Sequence, residues 1–210
     1  MVKDFYYKDL IDYSVNFCNA IKTVDLSLID KLENEILKRL DGVGEIFLVG
    51  NGGSSANAHH IAGDYMKTFS LIGKSLKISS LTDNACFLTA ASNDIDFTEI
   101  YETLVGTRIS KDDLIIFLSG SGNSMNLIKA ARKAKRLGIK TVGLIGYTGG
   151  SLKNIVDIPI HFHIDDMEIS EDCQMSVFHF IKQKIINTNS FLDTNSSSKY
   201  EKRTQEDLIA

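Results

Sequence analysis

Residues 45–67 read EIFLVGNGGSSANAHHIAGDYMK, and this stretch joins a short apolar run to a turn of glycines and serines and then to a helical pattern. The run Ile46 to Val49 is rich in β-formers, as is typical of a strand buried on both faces of a parallel sheet. Gly52 and Gly53 permit close approach of a ligand, and Ser54 supplies a hydroxyl at the start of the helix. The stretch therefore predicts a strand, an anion-binding turn and a helix.

A second turn of the same kind follows the strongest strand pattern of the chain. Leu114 to Leu118 (LIIFL) leads into the turn SGSGNS at residues 119–124, and residues 126–137 then carry a helical pattern. Backbone N–H groups and serine hydroxyls of such a loop can surround a phosphoryl group, although a serine-rich turn by itself is often only a turn. Because α/β sheets bind ligands at the carboxyl ends of their strands, we expect the two turns to line one site.

The remaining patterns continue an alternation of strands and helices. Further strand patterns cover Leu76 to Leu81, Thr141 to Ile145 and Ile158 to Ile164, and helical segments lie between the strands. In the last strand pattern His161 and His163 alternate with apolar residues, which predicts a half-exposed strand. The alternation predicts an α/β fold: a three-layer α/β/α sandwich around a mostly parallel, doubly wound sheet of five strands.

The N-terminal part of the chain differs from the rest. Residues 6–40 carry apolar positions at helical spacing without glycine or proline, which predicts two helices or one long broken helix before the sheet. We expect a second copy of the chain to cover their apolar face; the alternative is that they fold back on their own sheet. We divide the chain into an oligomerisation segment, 1–40, an α/β domain, 41–191, and a polar, mobile tail, 192–210.

Composition sets outer bounds on function. The 210 residues suit one domain, and 43% hydrophobic content is enough for a core. A net charge of −4 without a long basic run argues against nucleic acid as a partner. Cys18, Cys86 and Cys173 have neither paired nor metal-like spacing and fit a reducing cytosol. No apolar run approaches the ~20 residues that span a bilayer, so we expect a soluble, cytoplasmic protein.

Four residues are candidates for chemistry. His60 and Asp64 lie four residues apart and share one face of a predicted helix, a spacing that lets two side chains meet one metal ion or one substrate. Glu171 lies near the start of the final helix, where an acid also stabilises the positive end of the dipole without a catalytic role. His179 lies in a mainly apolar helical stretch, where a lone histidine is more often a core residue.

A family resemblance rests on these motifs together. With VGNGGSSANAHHIAGD, LTD, SND, SGSGNS and a final helix that carries Glu171 and His179, the chain is similar to the phosphoheptose isomerases, members of the sugar isomerase (SIS) domain superfamily, up to about residue 190. The resemblance implies a homotetramer that converts sedoheptulose 7-phosphate into D-glycero-D-manno-heptose 7-phosphate for bacterial heptose synthesis, with zinc in the active site of some members. GNGGS followed by a histidine and then an acid is its most specific motif.

The resemblance also assigns residues. It implies that the substrate-binding residues are Asn51, Gly52, Gly53, Ser54, Asp94, Ser119, Gly120, Ser121, Ser124 and Glu171. The implied catalytic residues are Asp64 and His179, and the implied zinc ligands are His60, Asp64, Glu171 and His179. Three positions depart from the family pattern: Asp64 replaces a glutamate, Glu171 replaces a glutamine and Gly120 replaces a threonine.

The spacing within the final helix predicts a site shared between copies. Glu171 and His179 are eight residues apart, so on one helix they lie ~12 Å apart along the axis and cannot readily bind the same ion. If all four candidate ligands serve one centre, one of them belongs to another subunit. We therefore expect sites at subunit interfaces, with Asp64 and His179 contributed by neighbouring copies.

The proposed chemistry is an aldose-ketose isomerisation through an enediol, which needs a base, an acid and stabilisation of an oxyanion. Asp64 is the candidate base, His179 the acid and base for the oxygen side, and a zinc ion would polarise the carbonyl. Two other hypotheses stay open. The chain could be a non-catalytic regulator that binds a phosphosugar or a replication initiator, or an isomerase of another phosphosugar.

Overall fold

The five strands form one sheet in the computed structural model, which describes residues 7–188. The strands are β1, Ile46–Val49; β2, Ile78–Ser80; β3, Leu114–Ser119; β4, Lys140–Ile145; and β5, Ile158–His161. They lie in the order β2-β1-β3-β4-β5, and every neighbouring pair is parallel. The predicted five-stranded parallel sheet is therefore confirmed.

Seven helices and one 3-10 turn are described between and around the strands of residues 7–188. They are α1, Leu10–Lys22; α2, Leu26–Leu40; α3, Gly52–Leu71; α4, Ala85–Asp94; α5, Ile100–Arg108; α6, Met125–Leu137; the 3-10 turn, Leu152–Asn154; and α7, Met167–Thr188. Each is too short or too polar to cross a lipid bilayer. The proposed tail, 192–210, lies outside the described residues.

Alternate strand residues point to two cores, one on each face of the sheet. Ile46 and Leu48 of β1 pack with α2, α3 and α7, whereas Phe47 and Val49 pack with α4, α5 and α6. Since successive side chains of a strand point to opposite faces, a four-residue apolar run serves both cores. This is the predicted three-layer α/β/α sandwich.

The N-terminal residues form two helices that differ in burial. α2 folds back on the chain's own sheet and buries Leu32 and Ile36, as the alternative hypothesis proposed. α1 packs on α7 but leaves Leu10, Ile11 and Val15 exposed. One helix therefore completes the sandwich, and the other leaves apolar surface uncovered.

The two edge strands are shorter than predicted. β2 covers three residues, and β5 ends at His161 because the chain turns there: the N–H of Phe162 still donates to the carbonyl oxygen of Ile145 at 2.8 Å, but the N–H of Ile164 turns back to the carbonyl oxygen of Phe162 at 2.9 Å. His161 is buried, so the half-exposed strand predicted there was wrong: its Nε2 lies 2.9 Å from the carbonyl oxygen of Tyr147 and its Nδ1 lies 3.1 Å from Nζ of Lys153.

The strand order places the two serine-containing turns next to each other. β1 and β3 are neighbours in register, with Val49 opposite Phe117, and the chain reaches β2 on one side of β1 and β3 on the other. This is the switch point of the sheet, where a crevice opens beyond the carboxyl ends of the strands. The turn into α3 and the turn into α6 border that crevice.

Candidate active site

A reciprocal amide pair joins the two turns. The side-chain amide of Asn51 donates to Oδ1 of Asn126 at 3.0 Å, and the amide of Asn126 donates to Oδ1 of Asn51 at 3.0 Å. Buried Tyr101 donates its hydroxyl to the carbonyl oxygen of Gly50 at 3.1 Å, and its Oη lies 3.3 Å from Oδ1 of Asn51. The side chain of Asn51 is therefore fixed from two directions before any ligand arrives.

The turn between β3 and α6 leads into a helix whose N-cap residue, Ser124, makes no side-chain cap. Ser119 is buried and accepts the N–H of Gly122 on Oγ at 3.0 Å, while Ser121 accepts the N–H of Asn123 at 3.2 Å. Ser124 precedes α6 with an extended backbone, and its side chain makes no capping hydrogen bond to the helix. The N–H of Leu127 donates to Oδ1 of Asn126 at 2.9 Å, so the donors suited to an anion at this end of α6 are the N–H groups of Met125 and Asn126 and the Ser124 hydroxyl.

The N-terminus of α3 already contacts a carboxylate of the same chain. Gly52 begins α3 with φ of +54°, and the Glu171 carboxylate accepts from the hydroxyl of Ser54 at 3.4 Å. The approach is so close that a Cβ on Gly53 would lie 2.1 Å from Oε2 of Glu171. Burial raises the pKa of Glu171, and the hydrogen bonds from Ser54 partly offset this.

Gly120 is covered by a side chain of α7. A Cβ at Gly120 would lie 2.2 Å from Sδ of Met167, so the thioether occupies the space that a larger residue would need. Met167 and Glu171 are four residues apart and share a face of α7. This face therefore covers both turns, Met167 above the second and Glu171 above the first.

Polar and aromatic contacts align α3 with α7. Asn57 donates its side-chain amide to the carbonyl oxygen of Glu171 at 3.0 Å and to Oε1 of Gln174 at 3.1 Å, and the Tyr65 hydroxyl donates to the carbonyl oxygen of Phe178 at 2.7 Å. Later residues of α3 contact later residues of α7, so the two helices run parallel. Side chains at matching positions along the two helices can therefore meet.

Three of the candidate residues form one cluster within a single chain. His60, Asp64 and His179 each offer a nitrogen or a carboxylate oxygen, and these atoms all lie within 4.8 Å of one another. The rings of His60 and His179 meet edge to face with centroids 5.7 Å apart. His59 points away and its Nε2 lies 2.9 Å from the Thr82 hydroxyl.

Two lysines contact the carboxylate of this cluster. Lys182 donates Nζ to Oδ2 of Asp64, and Nζ of Lys67 lies 3.3 Å from Oδ1. Burial raises the pKa of Asp64, but the hydrogen bonds and charges of Lys182 and Lys67 outweigh it and hold the pKa below its ordinary value. Burial and the charge of Lys182 lower the pKa of His179, which favours the neutral imidazole.

The donor set of the cluster fits a divalent metal. Two imidazoles and one carboxylate that converge from two helices match the three-ligand set of catalytic zinc sites, which keep a fourth position for water or substrate. The same groups can move protons, because a carboxylate and a neutral histidine side by side provide a base and an acid. The cluster is therefore competent for metal binding or for acid-base chemistry.

The expectation that Asp64 and His179 come from neighbouring copies was wrong. They meet in one chain because α3 and α7 are parallel and in contact, which the spacing along α7 alone could not reveal. Glu171 of α7 contacts the N-terminal end of α3 and is not part of the His60, Asp64 and His179 cluster. Its proposed role as a metal ligand stays a prediction.

Asp94 has a different setting from the other candidates. It ends α4, is exposed and accepts a hydrogen bond from the side chain of Asn93 at 2.8 Å. Its role in sugar binding stays a prediction.

Sequence reasoning missed several residues of this site. Asn57, Met167 and Lys182 each contact a candidate residue across the interface of α7 with α3 or with the second turn. Met167 lies four residues before Glu171, and Lys182 lies three after His179, so helical spacing from the recognised residues could have found both.

Comparisons with known proteins agree with this geometry. The family model described as SIS domain matches residues 10–146, more than half of the chain. A phosphoheptose isomerase from Clostridium acetobutylicum is 36% identical over 137 residues, which is 65% of this chain and 70% of that protein. One from Aneurinibacillus thermoaerophilus is 32% identical over 178 residues, 84% of this chain and 90% of that protein.

A solved structure supports the same fold. The phosphoheptose isomerase from Neisseria gonorrhoeae superposes with a TM-score of 0.77 at 23% identity, and the match covers 85% of this chain and 95% of that chain.

Proposed function

The chain belongs to the SIS-domain family and, within it, to the phosphoheptose isomerases, and from this premise we propose that it converts D-sedoheptulose 7-phosphate into D-glycero-D-manno-heptose 7-phosphate in heptose biosynthesis. The observation that carries the proposal is the meeting of Asp64 and His179 in one chain, beside two turns suited to a phosphosugar. A protein that only binds a phosphosugar has no need of this acid-base pair.

The phosphate is assigned to the second turn. The N-terminus of α3 already lies against the carboxylate of Glu171, whereas at α6 Ser124 makes no cap and a neutral amide oxygen, that of Asn126, takes the N–H of Leu127. Ser121 and Ser124 add hydroxyls, and the dipole of the 13-residue helix α6 adds partial positive charge. The sugar would then extend from this turn toward α3, with Asn51 and Ser54 as contacts for its hydroxyl groups.

The reaction moves two hydrogens and leaves the carbon chain intact. Asp64 would remove a proton from C1 of the ketose to give an enediol, and return of a proton to C2 gives the aldose. His179 would exchange the hydroxyl proton between O1 and O2, for which a neutral imidazole is suited because it can both donate and accept. Its lowered pKa keeps it neutral near pH ~7.

The metal of this proposal is Zn²⁺. His60, Asp64 and His179 would hold it, and a bound zinc ion supplies polarisation of the substrate carbonyl and of the enediolate. Glu171 contacts α3 in its own chain, so its proposed share in the metal site would require another copy. We propose that Glu171 of a neighbouring copy is the fourth ligand.

Assembly and location are also proposals. Helix α1 and the turn into α2 border an apolar groove of about 510 Å³ against α7, with Phe17, Leu26 and Phe180 among its lining residues. The groove and the exposed apolar residues of α1 support a homo-oligomer, which we propose to be a tetramer. The three free cysteines fit the cytoplasm.

The proposal is tested by incubation with sedoheptulose 7-phosphate, with and without added zinc, while NMR follows the aldose. Formation of the heptose 7-phosphate supports it. Saturable binding without any aldose would assign the chain to the phosphosugar-binding regulators, and turnover of only a pentose or hexose phosphate would change the substrate.

A further inference from the structure

A partly buried ion pair occupies the carboxylate that a metal would need. Lys182 and Asp64 meet across the α3 and α7 interface with side chains that are 15% and 14% exposed. The Nζ of Lys182 donates to Oδ2, which is one of only two oxygens that Asp64 can offer to an ion. Ion pairs shielded from water interact more strongly than exposed ones.

The second oxygen has a weaker partner. Lys67 lies 3.3 Å from Oδ1, but its side chain is 57% exposed. An exposed lysine can turn into water at little cost, since its attraction to the carboxylate is screened. The two lysines therefore contact the same carboxylate in different settings, and they provide a matched comparison.

The local charge is unusual for a divalent-cation site. As metal ligands His60 and His179 add no charge, Asp64 contributes one negative charge, and Lys182 and Lys67 each contribute one positive charge. The group as a whole is positive before any metal enters. A divalent ion would have to approach Asp64 while an ammonium remains in hydrogen-bond contact with it.

We propose that Lys182 is an intramolecular competitor for the metal: its ammonium takes the place of a cation on Asp64, and a divalent ion binds the His60, Asp64 and His179 cluster only when Lys182 withdraws. Lys182 is thus a residue that sets metal affinity. The inference rests on the proposed function only in the identity of the site, since metal binding is measured without a sugar substrate.

The competition has a structural consequence for Asp64. While Lys182 is in contact, the carboxylate is held at the α3 and α7 interface by a partly buried partner, and when a metal binds, the metal replaces that partner. Asp64 is therefore neutralised in both states. A chain without the lysine would leave a largely buried carboxylate with only the exposed Lys67 beside it.

The test is Zn²⁺ titration of the full-length protein in competition with a chromophoric chelator. We compare the native protein with Lys182→Met, which keeps the length of the side chain and removes its charge, and with Lys67→Met as the matched control. We expect Lys182→Met to bind zinc at least about tenfold more tightly and Lys67→Met to stay within about threefold of native. Adding His179→Ala to Lys182→Met should abolish the gain.

Thermal unfolding gives a second readout. Saturating zinc should raise the Tm of Lys182→Met more than that of the native protein, because tighter binding to the folded state adds stability. Lys182→Gln serves as a second variant should Lys182→Met fold poorly, with circular dichroism as the check. Equal zinc affinity of the native and Lys182 variants, an equal gain in Lys67→Met, or no zinc binding by any variant would overturn the inference. Failure of isomerase activity alongside the expected zinc affinities would count against the proposed function alone.

Discussion

Asn51 and Asn126 exchange two hydrogen bonds of 3.0 Å, each side-chain amide donating to the oxygen of the other. Asn51 lies at the start of α3 and Asn126 at the start of α6, so the pair holds the two glycine and serine turns at a fixed separation. The pair thus sets the spacing between the proposed sugar-binding and phosphate-binding ends of the site.

Asn126→Ala should destabilise the protein and weaken phosphosugar binding. Asn126 is buried, and its loss leaves the Asn51 amide without its partner, which costs about 1–3 kcal/mol of unfolding free energy. Urea unfolding and a binding titration measure the two effects. Asn154→Ala, at an exposed position of the 3-10 turn, is the control and should change neither. If Asn126→Ala keeps native stability and native affinity, the Asn51 and Asn126 pair does not fix the two turns.

Gly120→Thr should displace the side chain of Met167. A Cβ at Gly120 would lie 2.2 Å from Sδ of Met167, but this side chain is flexible and 38% exposed, so the single variant is expected to lose only about 1 kcal/mol of stability through overpacking. Gly120→Thr with Met167→Ala should recover most of that loss, and a double-mutant cycle in urea measures the coupling. Additive effects of the two substitutions would contradict the contact.

Glu35 should make folding stability depend on pH in the acid range. Burial raises the pKa of Glu35, but hydrogen bonds from Lys38 and Arg39 and their charges outweigh it and lower the pKa below 4.5. Because the folded pKa is depressed, the stabilisation is present above the unfolded pKa and is lost as the pH falls through the folded pKa. The unfolding free energy should therefore drop below pH ~4.5.

The matched variant for this prediction is Glu35→Gln, which cannot titrate. Its stability should fall less than that of the native protein between neutral and acid pH, as measured by urea unfolding at each pH. An unchanged acid dependence in Glu35→Gln would assign the effect to other carboxylates.

Mixing two inactive variants tests whether one chain supplies both catalytic groups. Asp64 and His179 meet within one chain, so an oligomer assembled from Asp64→Asn and His179→Gln chains should contain no complete site. Co-expression with two different tags and purification of the mixed oligomer should give no recovery of activity. Recovery of roughly a quarter of native activity would mean that the residues pair across copies.

The sequence was informative about the fold because its strand signals are local. Ile46 to Val49 and Leu114 to Leu118 are short apolar runs bounded by glycines and serines, and each ends at a turn that the structure places at the switch point. Parallel pairing then brings the two turns together by topology. The predicted ends of the three central strands are accurate to about one residue, whereas the predicted edge strands β2 and β5 are too long.

The site was harder to predict because it depends on the packing of two helices distant in sequence. Glu171 and His179 do lie on one helix, α7, but the sequence argument assumed that both serve one metal centre. α3 runs parallel to it, so Glu171 meets Gly53 while His179 meets His60 further along. The contact of Lys182 with Asp64 depends on the same alignment.

The reaction run in D₂O tests the claim that Asp64 transfers the proton between C1 and C2. We predict that the native protein exchanges the transferred hydrogen with solvent, so that NMR finds deuterium at C2 of the heptose 7-phosphate. Asp64→Asn should bind the phosphosugar yet form product at least about 100-fold more slowly. Product that forms at the native rate in Asp64→Asn would contradict the claim that Asp64 moves the proton.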